Sequence, residues 1–219
     1  AMPKAITITD VLSSPKADGG MELVGELANI TPLLAVLQGG EELPYAGLLK
    51  LQQQLSNAGD AVNLAGSITI DNFMMRDAAS GEMKLLEKQV SIKNDLSADL
   101  AKSNATIKSL TVDMPQTKAV SVKLVGGVND WVERRHIQDT RLELTYDWAK
   151  LWPIIEPMLS AETRETLKGA KFVGAYTEVF NVSGSLPNKP FPEAIKSLLA
   201  DGQLRVDLAD AAGLTIEKL

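Results

Sequence analysis

The stretch "VSIKNDLSADL", residues 90–100, places Val90, Ile92, Leu96, Ala98 and Leu100 at even positions, with Ser91, Lys93, Asp95, Ser97 and Asp99 between them. Successive side chains of an extended chain point to opposite sides, so this spacing builds a strand with one dry face and one wet face. A helix would need apolar residues at intervals of three and four, and the stretch lacks them. Asn94 alone interrupts the dry side.

The same habit recurs along the chain. Val120, Val122 and Leu124 alternate with Ser121 and Lys123; Leu142, Leu144 and Tyr146 repeat it, as do Leu204, Val206 and Leu208 within an expected strand 203–208. Further strands are expected over 5–9, 21–28, 46–55, 61–71, 106–113 and 171–184, while 74–88 fits either a strand pair or a short helix. Strands wetted on one face belong to antiparallel sheets.

Helical signals are few. "TPLLAVLQGG" (31–40) offers Thr31 as N-cap, Pro32 at the first helical position and a glycine pair as stop. "DWAKLWPIIEPMLSAETRETLKG" (147–169) starts at Asp147, is kinked or split near Pro153 and Pro157, and ends at Gly169. "FPEAIKSLLADG" (191–202) opens with Pro192 and closes with Gly202.

Two short segments echo one another: "VNLAGSI" (62–68) and "FNVSGSL" (180–186). Each follows a strand, a proline-bearing helix and a glycine-containing strand, which predicts an internal duplication of about 120 residues. The expected units are 1–140, a complete repeat, and 141–219, a partial one, within one continuous domain. The 191–202 helix and the 203–208 strand read as the start of a third copy.

The fold class is therefore α+β and β-dominated: a curved, mostly antiparallel sheet with a few short helices on its apolar face. Such a sheet closes into a sandwich, is covered by helices, or curls into an open trough. The residues alone leave these alternatives open.

Composition narrows the function. The chain has 219 residues, 45% of them hydrophobic and 5% aromatic, with a net charge of −6. That size and apolar content bury a core, and the acidic balance argues against nucleic acid as a partner. The absence of cysteine excludes disulfides and thiol chemistry. The longest strongly apolar run, "LLAVL" at 33–37, is far too short to span a bilayer. The opening Ala1-Met2 reads as a cloning remnant ahead of a piece of a longer protein.

No motif names a reaction. Glycine-rich phosphate loops and nucleophile elbows are missing. His136, the one histidine, is flanked by Glu133, Arg134, Arg135 and Asp139; without a nucleophile beside it, a solvated turn or strand-end position is the simpler reading. The expectation is a non-enzyme with no cofactor and no metal. Asn29, Asn104 and Asn181 head glycosylation-type triplets that arise readily by chance. Trp148 and Trp152, four residues apart on one helical face, fit helix-to-sheet packing, an interfacial anchor or a ligand stack. Trp131 follows Gly126-Gly127 in an expected turn and is the better candidate for an exposed contact.

"YAGLLKLQ…VNLAGSITIDNF" (45–73) and "LKGAKFVGAYTEVFNVSGSLP" (167–187) resemble the AsmA-like proteins of bacterial envelopes, in which short helices precede strands of x-G-x-L-x-L type. The resemblance implies a long apolar β-groove, a periplasmic or envelope location and a tether from an upstream inner-membrane helix. It also implies a role in lipid handling or outer-membrane biogenesis, with acyl chains or envelope proteins as partners. The alternative is a structural or protein-binding β module without a small ligand. On the dry side of the expected strands, the groove lining is Leu49, Leu51, Val62, Leu64, Ile68, Ile70, Val120, Val122 and Leu124.

Overall fold

The computed structural model describes residues 16–27, 45–76, 81, 83–131, 135–156, 159, 161–187, 194–211 and 214–217. The 90–100 pattern lies in a strand that runs over Met83–Asp99, the fourth of the chain. Before it come β1 (Lys16–Glu26), β2 (Tyr45–Ala58) and β3 (Ala61–Arg76). After that strand, β4, come β5 (Asn104–Asp113), β6 (Val120–Asn129) and β7 (His136–Asp147). The stretch 74–88 resolves as a strand pair, the end of β3 and the start of β4.

From β1 to β7 each strand pairs antiparallel with its successor. Local chemistry closes the turns. Gly59, at φ 68, and Asp60 form a two-residue loop between the paired Ala58 and Ala61. The Asp99 carboxylate accepts from the Lys102 backbone N–H at 3.0 Å and from its ammonium at 2.9 Å, pinning the β4–β5 turn. That hydrogen bonding holds the Asp99 carboxyl below its ordinary range. Between β5 and β6, the buried Glu87 carboxylate accepts from the N–H of Gln116 at 2.7 Å and of Thr117 at 3.0 Å.

The chain then leaves the sheet. Asp147 caps α1 (Trp148–Ile155) by accepting from the Ala149 N–H at 3.1 Å. Pro153 lies inside α1, and a second helix, α2, covers Ala161–Thr166, so the long helix expected over 147–169 is split. The expected strand 171–184 is also two: β8 (Lys171–Val173) and β9 (Ala175–Ser185), separated by Gly174 at φ 125. β9 returns to pair with β7. β8 instead joins β11 (Leu208–Ala211) and β12 (Leu214–Glu217) in a separate three-stranded sheet.

Two expectations fail here. Within 191–202, Ile195–Ser197 make one 3-10 turn and Leu198–Asp201 form β10, which extends the main sheet beside β9. The open edge of β9 offers those residues ladder partners, and that outweighs their helical spacing. Gln203–Val206, expected in a strand, belong to none. The helix expected over 31–40, the strand over 5–9 and Asn29 lie outside the described residues.

The nine-stranded sheet thus has the order β1 to β7, β9, β10. Residue 140, where the two units were expected to meet, falls in the middle of β7. The sequence echo sits on strands in different places: "VNLAGSI" on β3 between β2 and β4, "FNVSGSL" largely on β9 between β7 and β10. Gly47, at φ 145, lies near the start of β2 beside β1, and Gly174 precedes β9 beside β7.

A closed core forms at one end of the sheet. Met75, Leu85, Ala119 and Ile154 of α1 are buried together there, with Tyr45, Phe73 and Met114 against them. Burial raises the Tyr45 hydroxyl above its ordinary pKa. On β3 the apolar alternation passes from the even positions Ile68 and Ile70 to the odd positions Phe73 and Met75 around Asn72, which sits at φ 51 and turns the strand.

Candidate functional site

Away from that end, the sheet has one apolar and one polar face. Across the polar face Glu22, Gln52, Ser67, Lys93, Thr111, Lys123 and Glu143 stand side by side on consecutive strands. Lys50 lies 2.5 Å from the Asp71 carboxylate, which also accepts from Gln89 at 2.9 Å. These two hydrogen bonds hold the Asp71 carboxyl below its ordinary range.

On the opposite face Leu23, Leu51, Ile68, Ile92, Val112, Val122 and Leu144 form a row from β1 to β7. At ordinary inter-strand spacing this row is about 29 Å long. From Leu51 to Leu144 its members are half-buried, and Leu23 is 46% exposed. Parallel rows flank it: Leu49, Ile70 and Val90; Leu55, Leu64, Leu96 and Ile107; Leu110, Leu124, Leu142 and Phe180. Val62 lies beside Ala98, and Val120 beside Tyr146.

The register therefore brings all nine sequence-selected residues, Leu49, Leu51, Val62, Leu64, Ile68, Ile70, Val120, Val122 and Leu124, onto one face. Every one of them is half-buried.

Polar groups interrupt this face at two points. Gln53 and Asn94 flank Gly66 on the neighbouring strands and exchange hydrogen bonds across it, at 2.9 and 3.1 Å. Asn94 also donates to the Leu64 carbonyl at 3.3 Å. A Cβ on residue 66 would overlap the Gln52 carbonyl oxygen and lie 2.9 Å from Gln53 Cα. Gly66→Ala is accordingly expected to force β2 and β3 apart and cost about 2 kcal/mol, read as a lower denaturation midpoint.

The second interruption ends the long row. Beside Leu144 on β9 stands Glu178, a buried carboxylate whose Oε1 is 2.5 Å from Arg205 Nε. Its Oε2 accepts from Arg205 Nη2 at 3.2 Å. That carboxylate keeps the guanidinium pKa above its ordinary value, and the guanidinium lies 5.2 Å from the centre of the Tyr176 ring. Tyr146, itself buried, fixes the segment: its hydroxyl donates to the Arg205 carbonyl at 3.0 Å and accepts from the Arg205 N–H at 2.8 Å. Trp148 Nε1 donates to the same carbonyl at 2.7 Å. The Tyr176 hydroxyl donates to Asp207, which raises the tyrosine's pKa.

The tryptophans of α1 are used in packing. Trp148 lies 5.8 Å and Trp152 4.4 Å from the Phe172 ring, measured between centroids. Trp131 is a half-buried turn residue whose N–H donates to the Ser103 carbonyl. His136 opens β7, exposed, with Nδ1 3.3 Å from Ser185 Oγ. A pocket of about 300 Å³ lies at the ends of β7 and β9, lined by Lys118, Thr145, Lys150 and Thr177 among others, and none of the nine residues borders it. Among the described residues, no group of three or more His, Asp or Glu is placed to hold a metal ion, and no helix is long and apolar enough to cross a membrane.

The sequence marked Asn94 as a break in the dry side of its strand, but neither its pairing with Gln53 nor the role of Glu178 was read from it. Their signal was a polar residue at an apolar position of the alternation: Gln53 between Leu51 and Leu55, Asn94 between Ile92 and Leu96. No family model, curated protein or solved structure matches the chain.

Proposed function

We propose that this chain is a non-enzymatic module of AsmA-like type that handles lipid on the apolar face of its sheet, in the periplasm or cell envelope. The observation carrying this reading is the half-buried apolar row from Leu51 to Leu144, flanked by further apolar rows on the same face of the sheet. An acyl chain laid along it gains about 0.8 kcal/mol for each methylene removed from water, so tight holding needs no specific polar contact. The polar back of the sheet would face water. In this reading the role is transfer of lipid or support of outer-membrane biogenesis, within a parent protein anchored in the inner membrane. The duplication belongs to the same proposal, as a repeat whose units each add strands to one continuous groove.

Copurified lipid, extracted and weighed by mass spectrometry, tests the reading. Val122→Asp places a carboxylate in the middle of the row at a half-buried position. The variant is expected to stay folded by circular dichroism while retaining about tenfold less lipid. Lipid-free wild-type protein, or undiminished lipid on a folded variant, would sink the proposal. A second reading, a protein-binding β module, is favoured by the apolar residues exposed on the β1 edge, with Met21 at 55% and Val24 at 65%.

A further inference from the structure

We propose that β1 is a homotypic docking edge, across which two copies of the chain pair antiparallel about Met21. The proposal does not depend on lipid binding. β1 ends the nine-stranded sheet, and among the described residues its outer side has no partner strand. Unpaired strand edges invite pairing unless they are short, bulged, or blocked by proline or charge. The opposite edge, β10, is short at 4 residues. β1 has 11 residues without proline, and its register with β2 runs unshifted from end to end. Met21, Leu23 and Val24 stand exposed along it.

The sequence of β1 selects one register. For the apolar faces of two copies to be continuous, odd-numbered positions must oppose odd ones. Pairing centred on Met21 meets this condition and overlaps the whole strand. It sets Asp18 opposite Val24 and Glu22 opposite Gly20, with neither carboxylate facing another. Sliding by two positions in either direction puts Asp18 opposite Glu22 or Glu26. In the favoured register Leu23 meets Gly19 of the second copy, whose cross-strand neighbours are Leu55 and then Leu64. The apolar row of one copy thus runs into an apolar row of the other. The arrangement is isologous, so it closes at two copies.

Sedimentation velocity of the wild-type chain over a concentration series is expected to show a monomer–dimer equilibrium. Met21→Glu and Met21→Lys each set like charges opposite one another at the two-fold axis and should weaken the dimer about tenfold. Mixing the two variants should restore it as a heterodimer, which no loss of folding could mimic. Gly20→Lys, facing Glu22 twice, should tighten the dimer about fivefold; a Cβ there meets nothing closer than the Gln53 carbonyl at 3.9 Å. A wild-type chain that stays monomeric across the concentration series would overturn the proposal. So would dimers that tolerate Met21→Glu and Met21→Lys separately as well as together.

Discussion

Glu87→Ala is expected to destabilise the fold by about 3 kcal/mol, measured by urea denaturation. Glu87 has no exposed surface, and its two carboxylate oxygens accept from the N–H groups of Gln116 and Thr117. Alanine would leave both donors unsatisfied in a part-buried turn and open a cavity beside it. The turn leads directly into Ala119, which is part of the closed core and whose carbonyl accepts from the Asp147 N–H at the head of α1. Loss of the carboxylate therefore loosens both a turn and the helix seat. Glu87→Gln keeps one acceptor oxygen and should cost about half as much. Equal losses for the two variants would show that the hydrogen bonds contribute little.

Tyr146→Ala should cost about 4 kcal/mol, in the range of buried aromatic truncations. Its ring is 1% exposed and lies 5.4 Å from Trp148 and 6.1 Å from Tyr176, centroid to centroid. Tyr146→Phe separates the two contributions. It keeps the ring contacts and removes the hydroxyl that bridges the Arg205 N–H and carbonyl, a loss of about 1.5 kcal/mol. Hydrogen exchange at the Arg205 amide should accelerate in the phenylalanine variant while the β6–β7 amides keep their protection. Unchanged exchange at Arg205 would mean that Trp148 and the Glu178 ion pair hold the segment without the tyrosine.

The strands were legible because period-2 alternation is a local property that a half-wetted sheet demands of every strand. Val90 to Ala98 and Val120 to Leu124 show it, and the same alternation places the nine candidate residues on one face. Sequence failed where distant groups decide conformation. Leu198–Asp201 form a strand because β9 presents a ladder to them, although Pro192 and Gly202 punctuate the segment like a helix. Gln203–Val206 have the composition of a strand, yet both backbone groups of Arg205 bond to the Tyr146 hydroxyl. The division of 171–184 at Gly174 was equally invisible. No residue on either side announces that β8 and β9 enter different sheets.

The connectivity of the main sheet also sets the order in which it can assemble. From β2 to β7 every pairing joins strands adjacent in sequence, so each hairpin can zip onto the one before it with little chain entropy lost per step. Two pairings are different in kind. β1 must meet β2 across residues 27–44, and β9 must return to β7 across α1, α2 and β8. Each requires a long stretch of chain to be closed before any ladder energy is gained. The middle of the sheet is thus a rapidly formed template, and its two flanks are the late steps. One flank carries the Glu178–Arg205 pair that ends the long apolar row; the other places Met21 and Leu23 on the strand that ends the sheet among the described residues. A stalled ribosome or a brief thermal excursion would therefore find the central hairpins formed while those flanks were still unpaired.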